Sequence, residues 1–233
     1  MKPAPVFRFH SLDSTNAEAR RRLAQGRAPG FAVFAKAQTA GRGRQGRSWI
    51  SPDGAGIYLT LTHAVAEPVS EQGFVSIVAA VAAAEWLEGY GLFVGIKWPN
   101  DLRVEGRKVG GILCERQGAD LVIGLGINWS SSPTDLDQPT TSVLEEVGQP
   151  CAQAQGEGEL LNALQAAMTL WQAGGQSDLA RRWWRLAEKQ RSYVYEGIQV
   201  RPQGLSDRGA LLVRDADGFE RSISCGELED AAP

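Results

Sequence analysis

Cysteine and histidine are scarce in this chain of 233 residues. The three cysteines, Cys114, Cys151 and Cys225, lie far apart without C-x-x-C spacing, so neither a zinc cluster nor a disulfide framework is predicted. We expect each to be a small packing residue in a protein of a reducing compartment. The two histidines, His10 and His63, have no nucleophile motif beside them, which favours structural roles over Ser/His or Cys/His hydrolysis.

Long apolar runs and a strong excess of one charge are also absent. The longest apolar stretch, near residues 77–84, is too short to cross a bilayer, and no signal-peptide pattern opens the chain. The formal net charge is -3 and the pI is about 5.5, which does not favour broad binding to nucleic acid or membranes. We therefore predict a soluble cytoplasmic protein with one main domain and an appendage.

Against this mildly acidic background, residues 41–49 are strongly basic, with the sequence GRGRQGRSW. Arginine offers a rigid fork of donors that matches phosphate and carboxylate oxygens, and glycine lets backbone N–H groups come close to a ligand. We predict an anion-binding loop, kept mobile by repulsion between its cations until a ligand orders it. A solvent-exposed basic surface loop is the alternative.

Gly41, Gly43 and Gly46 match the G-x-G-x-x-G pattern of dinucleotide-binding proteins. That site requires a helix to begin at the loop, whereas here a Ser-Pro-Asp-Gly turn and the strand-like residues 57–61 follow. The chain also lacks G-x-x-x-x-G-K-[ST]. Neither a Rossmann nor a P-loop phosphate site is predicted.

Residues 97–101, with the sequence KWPND, end an apolar strand in a sharp turn. The chain has only five lysines against nineteen arginines, so a lysine between Ile96 and Trp98 stands out. Its compact ammonium could balance a charge that develops in a transition state, and Asp101 could hold Mg2+ beside phosphates. A surface lysine and an aspartate that caps the turn are equally compatible with the spacing.

Glycines alternate with apolar residues in residues 124–128, with the sequence GLGIN. Gly124 and Gly126 would leave one face of a strand bare, so that a flat ligand could lie there. Asn128 offers a donor and an acceptor, as the edge of a base requires. Close packing against a helix is the alternative.

Hydrophobic periodicity and turn residues predict an α+β fold. The pattern T-x-x-E at Thr15 and Glu18 favours a capped helix that runs to Gly26. Further helices are predicted at residues 71–90, 160–171 and 179–189, strands at 31–38, 56–62, 92–98, 111–115 and 121–128, a hairpin at 102–109, and an irregular connection at 131–157. Trp171, Trp183 and Trp184 are expected to anchor the core. Short runs at 193–196, 199–201, 210–214 and 220–224 predict a small β-barrel.

Together these segments resemble biotin protein ligases (biotin-[acetyl-CoA-carboxylase] ligases) from about Phe9 to Glu227. Residues 11–16 (SLDSTN) are similar to the family's opening motif, 38–49 to its biotin and adenylate loop, and 97–101 to its catalytic strand end. Residues 107–115 and 124–128 extend the match in order, and residues 209–213 and 225–228 are similar to its SH3-like C-terminal domain. Cys225 departs from the small residue, such as Ser, that is usual there.

The resemblance implies a catalytic domain over residues 1–190, with a mixed, mostly antiparallel sheet and flanking helices of the class II synthetase-like, biotin–lipoate ligase type. An SH3-like β-barrel domain is implied over residues 191–233. Two half-reactions are implied: biotin and MgATP give biotinyl-5'-adenylate and pyrophosphate, and a lysine of a biotin carrier domain then attacks the mixed anhydride. Because the chain begins close to the first motif, a monofunctional enzyme without the DNA-binding domain is expected.

The resemblance also implies roles for particular residues. It places Lys97 and Arg44 as catalytic; Asp101 remains the candidate metal ligand from its place near Lys97 in the sequence. Biotin binding is implied for Ser14, Thr15, Asn16, Gln38, Gly41, Arg42, Gly43, Arg44, Lys97 and Gly111, and adenylate binding for Arg42, Arg44, Trp49, Lys97, Asn100 and Asn128. For Arg47 we expect a salt bridge within the protein rather than a ligand contact.

The implied substrates and partners are biotin, ATP with Mg2+, and the biotin carrier domain of a biotin-dependent carboxylase. Nucleic acid and membranes are not expected as partners, and pairing into a homodimer is. Two other hypotheses compete with this one. A lipoate or octanoate ligase shares the fold class, although an aliphatic acyl chain would not need Ser14, Asn16 and Gln38 together. A nucleic-acid-binding module would require a wider basic surface than a net charge of -3 favours.

Overall fold

A computed structural model describes residues 4–65, 72–134, 136, 138–149 and 152–231. The first part of the chain forms β1 (Val6–Leu12), α1 (Thr15–Ala24), β2 (Ala32–Gln38), β3 (Gly56–His63), α2 (Gln72–Glu88), β4 (Val94–Lys97), β5 (Asp101–Val104), β6 (Arg107–Gln117) and β7 (Asp120–Asn128). The second forms α3 (Val143–Val147), α4 (Gln153–Gln172), α5 (Gln176–Leu186), β8 (Tyr193–Tyr195), β9 (Ile198–Leu205), β10 (Leu211–Asp215), β11 (Glu220–Ile223) and β12 (Glu229–Asp230).

The main sheet has seven strands in the order β1-β2-β3-β7-β6-β5-β4. Strands β1 and β2 are parallel, and the other neighbouring pairs are antiparallel, so the predicted mixed and mostly antiparallel sheet is confirmed. The sequence did not indicate β1. This strand lies at the sheet edge and its side chains are exposed or half-buried, which leaves little hydrophobic periodicity to detect.

Helices cover both faces of the main sheet. On one face α2 is apolar on every side and is buried between the sheet and helices α4 and α5. On the other face α1 packs through Ala19 and Leu23 against Phe31, Val33 and Val122. Because side chains alternate along β3, Leu59 and Leu61 join the larger core while Thr60 faces the α1 side, where the polar N-terminus of that helix lies.

A second, antiparallel sheet follows, in the order β11-β10-β9-β8-β12. It confirms the predicted short strands and adds the two-residue β12. Its core residues Tyr193, Val200 and Leu211 belong to the same buried cluster as the main sheet. The indole of Trp98 also donates to the carbonyl of Gly209 at 3.3 Å. The second sheet therefore packs directly on the first.

Several local predictions were wrong. Ser14, not Thr15, is the N-cap of α1, and its side chain makes no capping hydrogen bond. Glu18 instead forms ion pairs with Arg21 and Arg22 one turn later. Residues 107–117 form one strand rather than a hairpin arm and a separate strand at 111–115, because a register shift after Leu102 keeps β6 paired with β5.

Other predicted boundaries also changed. The connection predicted at residues 131–157 contains α3 and the first turn of α4. Helix α5 ends at Leu186 because Ala187 bridges to Ile96 of β4. Cys225 is exposed, so its predicted packing role was wrong, whereas Cys114 is half-buried and Cys151 lies outside the described residues. No helix in the described part of the chain combines the length and apolar character needed to cross a bilayer.

Substitution of Thr62 by Val should destabilise the fold. The Thr62 hydroxyl is fully buried and accepts hydrogen bonds from the backbone N–H groups of Gly30 and Phe31, both at 3.1 Å. Valine keeps the shape but leaves a buried N–H unpaired, at a cost of about 1–3 kcal/mol in the free energy of unfolding. Urea denaturation would measure this, with Thr134→Val at an exposed position as control. Equal unfolding midpoints for the two variants would contradict the prediction.

Candidate active site

One cavity of about 630 Å³ collects almost all the residues that the sequence singled out. It extends from the N-terminus of α1, across the main sheet, to the last strand of the second sheet. Of the predicted site residues, its lining includes Ser14, Thr15, Asn16, Gln38, Arg42, Gly43, Arg44, Trp49, Lys97, Asn100, Asp101, Gly111 and Asn128. Gly41 is buried beside it, where a Cβ would lie 2.3 Å from the carbonyl oxygen of Trp49. The cavity therefore joins motifs that are distant in the sequence.

One end of the cavity holds a hydrogen-bonded network around Asn16, in which the Glu115 carboxylate is the charged member. The Asn16 amide nitrogen donates to the carbonyl of Leu113 at 3.2 Å and to the carboxylate of Glu115 at 2.9 Å. Because both partners accept hydrogen bonds, the orientation of the amide is fixed and its oxygen faces Thr60, 2.6 Å away. Thr60 must donate its one hydroxyl hydrogen across that short contact.

This network also fixes the hydroxyl of Thr15, which lies 2.8 Å from that of Thr60. The Thr60 hydrogen is used for Asn16 at the shorter distance, so Thr15 donates to Thr60 rather than to the Gln38 side-chain oxygen 3.3 Å away, and it keeps its lone pairs for another partner. The Gln38 side-chain oxygen accepts from the backbone N–H of Thr15 at 2.8 Å, and its nitrogen donates to the Ser51 hydroxyl at 2.9 Å. Thr15 thus presents an acceptor to the cavity, and Gln38 keeps a second amide hydrogen.

The bare strand face predicted at Gly124 and Gly126 is covered by other residues of the protein. A Cβ at Gly124 would lie 2.3 Å from the side-chain oxygen of Asn16. One at Gly126 would lie 2.4 Å from the indole nitrogen of Trp49. The expectation of a flat ligand directly on the glycines is therefore corrected: Trp49 lies there, half-buried, and its remaining surface lines the cavity.

Asn128 lies at the end of β7 and holds neighbouring backbone in place. Its amide nitrogen donates to the carbonyl of Thr141 at 3.0 Å and to that of Lys108 at 3.3 Å. The predicted contact with a base edge stays a prediction, and the side-chain oxygen is the atom left for it.

Repulsion between the arginines of residues 41–49 is offset by partners elsewhere in the protein. Arg42 lies 3.3 Å from Glu115, and Arg47 forms an ion pair with Glu227, which confirms the salt bridge expected for it. Arg44 contacts no carboxylate among the described residues. It donates to the Asn100 side chain at 3.2 Å and to the carbonyl of Gly226 at 3.0 Å. Arg44 therefore keeps an uncompensated charge, and the predicted mobility of the loop stays a prediction.

Lys97 ends β4 with its side chain only 10% exposed. Its ammonium lies 3.2 Å from the carboxylate of Asp230 and 5.5 Å from the ring centre of Tyr193. Burial and the neighbouring charge of Arg103 lower the pKa of Lys97, while Asp230 opposes that shift. The surface-lysine alternative is thereby excluded, because this ammonium is inside the cavity wall.

Asp101, the predicted metal ligand, forms an ion pair with Lys108 at 2.7 Å. The described residues contain no group of three His, Cys, Asp or Glu side chains that could hold a metal ion. Mg2+ requires a nearly octahedral set of oxygens, so these side chains do not provide a magnesium site by themselves. A contact of Asp101 with a metal brought in on phosphates stays a prediction.

A family profile and sequence relatives agree with this geometry. The profile described as "Biotin/lipoate A/B protein ligase family" matches residues 6–129. A biotin–[acetyl-CoA-carboxylase] ligase of Paracoccus denitrificans is 33% identical over 233 residues, which cover 88% of this chain and 92% of that protein. One from Mycobacterium tuberculosis is 34% identical over 226 residues, covering 92% of this chain and 85% of its own length.

The chain belongs to the biotin/lipoate A/B protein ligase family. The resemblance to biotin protein ligases that the sequence motifs indicated is thereby confirmed. The solved biotin protein ligase of Aquifex aeolicus, in complex with biotin and ATP, matches with a TM-score of 0.83 at 24% identity and covers 97% of each chain. That likeness shows a common biotin protein ligase fold.

The motifs did not reveal every residue of the ligase cavity. Arg103, Lys108, Glu227 and Asp230 also line it. Arg103 follows Asp101 at a spacing of two, which places both side chains on one face of β5, so alternation could have indicated it. Glu227 lies in the matched segment 225–228 but was given no role there, and Asp230 carried no local signal, because the place of both beside the cavity depends on how the second sheet packs.

Substitution of Gly126 by Ala should displace the indole of Trp49. The new methyl group would overlap the ring, because it would lie only 2.4 Å from the Nε1 and Cε2 atoms of Trp49. We expect a larger fraction of the tryptophan emission to be quenched by iodide. Gly158→Ala is the control, because a Cβ there meets no atom within 4 Å and helix α4 gains about 1 kcal/mol from alanine. Identical quenching and melting of Gly126→Ala and the unsubstituted protein would contradict the placement of Trp49.

Proposed function

We propose that the chain is a biotin-[acetyl-CoA-carboxylase] ligase, which attaches biotin to a lysine of a biotin carrier domain through biotinyl-5'-adenylate at the expense of ATP. Relatives of that name at 33% and 34% identity support the assignment. The observation that carries it is the cavity itself, whose lining combines the fixed uncharged side chains Thr15 and Gln38 with the cations Arg42, Arg44 and Lys97. Biotin has the same division, with an uncharged ureido ring and a carboxylate.

The uncharged end suits the ureido ring. Thr15 offers a hydroxyl that accepts, which matches a ring N–H, and the second amide hydrogen of Gln38 matches the ring carbonyl. Ser14, 3% exposed, adds a hydroxyl to the same wall. Asn16 serves as the support that fixes the Thr15 hydroxyl, because its own amide is bonded within the protein. A dithiolane ring has no N–H to offer, so lipoate leaves the buried acceptor unpaired.

The cationic end suits the carboxylate and the phosphates. The biotin carboxylate attacks the α-phosphorus of ATP, and pyrophosphate leaves. Arg42 would hold carboxylate and phosphate in line, and Arg44, whose own partners are uncharged, would close over the adenylate. Lys97 would balance the charge on the phosphoryl oxygens and then on the departing AMP. In the second step the neutral amine of the carrier lysine attacks the acyl carbon, the bond from that carbon to the phosphate oxygen breaks, and the amide forms as AMP and a proton leave.

Trp49 and Asn128 would bind the adenine, Trp49 with the ring surface that lines the cavity and Asn128 with its side-chain oxygen. Asn100 already holds Arg44 and would keep it aimed at the phosphate. We further propose that the second sheet is an SH3-like domain, that the enzyme works in the cytoplasm as a homodimer, and that Mg2+ enters with ATP.

The function is tested by pyrophosphate release from ATP and Mg2+ with biotin, with lipoate, and with neither. Mass spectrometry of an added biotin carrier domain follows. We expect biotin-dependent release and a carrier that gains one biotin. Release with lipoate but not biotin would move the assignment to the lipoate ligases of the same family. Release with neither acid would contradict both assignments.

Substitution of Thr15 by Val should weaken biotin binding about 5- to 150-fold, since one buried acceptor is worth about 1–3 kcal/mol. Calorimetric titration with biotin would measure this. Biotin methylated on the ureido nitrogen that faces Thr15 should bind the unsubstituted protein more weakly than biotin does. The Thr15→Val variant should bind biotin and methylated biotin with similar affinity. Thr39→Val, which removes an exposed hydroxyl nearby, serves as control. If methylation weakened binding to Thr15→Val as much as it weakens binding to the unsubstituted protein, a contact between this nitrogen and the Thr15 hydroxyl would be contradicted.

A further inference from the structure

The second sheet contributes a carboxylate to the cavity wall, and this contact rests on strand pairing. In the antiparallel pair β8–β12, Asp230 lies opposite Tyr193. The ring of Tyr193 is the one that lies 5.5 Å from the ammonium of Lys97. Strand pairing therefore brings Asp230 and Tyr193 together beside Lys97, even though both are more than 90 residues further along the chain.

Asp230 binds two cations at once. Both terminal nitrogens of Arg103 donate to it, at 2.9 Å and 3.0 Å, in the bidentate geometry that is the strongest arginine–carboxylate contact. The oxygen that receives the second of these bonds is also 3.2 Å from the ammonium of Lys97. Although burial opposes it, the hydrogen bonds from Arg103 lower the pKa of Asp230, so the group is a carboxylate at neutral pH.

Arg103 is the fixed part of this arrangement. Its side chain is 3% exposed, and its other carboxylate neighbour, Glu188, lies 3.8 Å away and accepts the Tyr193 hydroxyl at 2.9 Å. A guanidinium held between two carboxylates in a packed wall has little freedom to move. The Asp230 carboxylate is therefore held in one place, and Lys97 is the partner that meets it from the cavity side.

We propose that Asp230 is a positioning residue for the reaction: anchored by Arg103, it holds the ammonium of Lys97 at the place where the phosphoryl group reacts. The proposal rests on the proposed biotin ligase function. Without Asp230, Lys97 would lie beside Arg103 with no carboxylate between them, and repulsion would push the flexible lysine side chain away. Binding of the ureido ring, which depends on Thr15 and Gln38 and on no residue of this ion-pair cluster, would be unaffected.

The test is the rate of biotin-dependent pyrophosphate release by Asp230→Asn, Asp230→Glu and Glu220→Gln, measured well below each unfolding temperature. Asp230→Asn should lower kcat about 10- to 100-fold, the effect of misplacing one reacting group, while KM for biotin stays within about twofold. Asp230→Glu keeps a carboxylate within reach of Arg103 and should recover most of the lost kcat.

Glu220→Gln is the matched control. It removes the carboxylate of another ion pair in the second sheet, with Arg214 at 2.8 Å, on the exposed surface away from the cavity. We expect its kcat to be unchanged. An unaltered kcat in Asp230→Asn would overturn the proposal. The proposal would also be overturned if Asp230→Glu had the unfolding temperature of the unsubstituted protein but the low kcat of Asp230→Asn. That result would assign Asp230 a structural role alone. Failure of the unsubstituted protein to release pyrophosphate with biotin would instead count against the proposed function.

Discussion

Placing several cations around one partly buried cavity requires carboxylates beside them, because a charge removed from water without a partner costs several kcal/mol. The pairs in this wall are Arg42 with Glu115, Arg47 with Glu227, Lys97 and Arg103 with Asp230, and Lys108 with Asp101. They come from five separate stretches of the chain. An anionic ligand that enters such a cavity takes the place of a carboxylate that already pairs with the cation, so the cation has a partner both before and after binding. Arg44, which is held by the uncharged Asn100 and a carbonyl, is the exception, and its charge is available from the start.

This requirement explains why the second sheet packs where it does. It supplies Glu227 and Asp230 to the ion pairs, and the Gly226 carbonyl to Arg44. The same sheet shares its apolar core with the main sheet. The cavity wall is therefore complete only when the second sheet is packed on the main sheet, and a change in the packing of the two sheets would move the cations as well. The second sheet is in this sense part of the candidate active site rather than an appendage.

The sequence predicted the features that depend on residues close together in the chain. Hydrophobic period, turn residues and motif spacing gave the α+β class, most strands, the arginine loop and the strand end at Lys97. Contacts between residues distant in the sequence could not be predicted. Arg103 and Asp230 are 127 residues apart, and Thr15 and Thr60 are 45 apart. The T-x-x-E pattern misled for the same reason, because Thr15 finds its partners across the sheet. Gly126 was recognised as a bare position, but only the fold shows that Trp49 fills it.

The two ends of the cavity need different physics because they do different things. Ionic attraction acts over a longer distance than a hydrogen bond, so the cationic end can draw in a carboxylate and phosphates before the arginine forks set their orientation. The hydrogen-bonded end can orient a ring, since each hydrogen position follows from the Glu115 carboxylate through Asn16 and Thr60 to Thr15. Glu115 also pairs with Arg42. One carboxylate thus belongs to both networks, and it ties the position of the oriented ring to the position of the cation that would hold the reacting carboxylate.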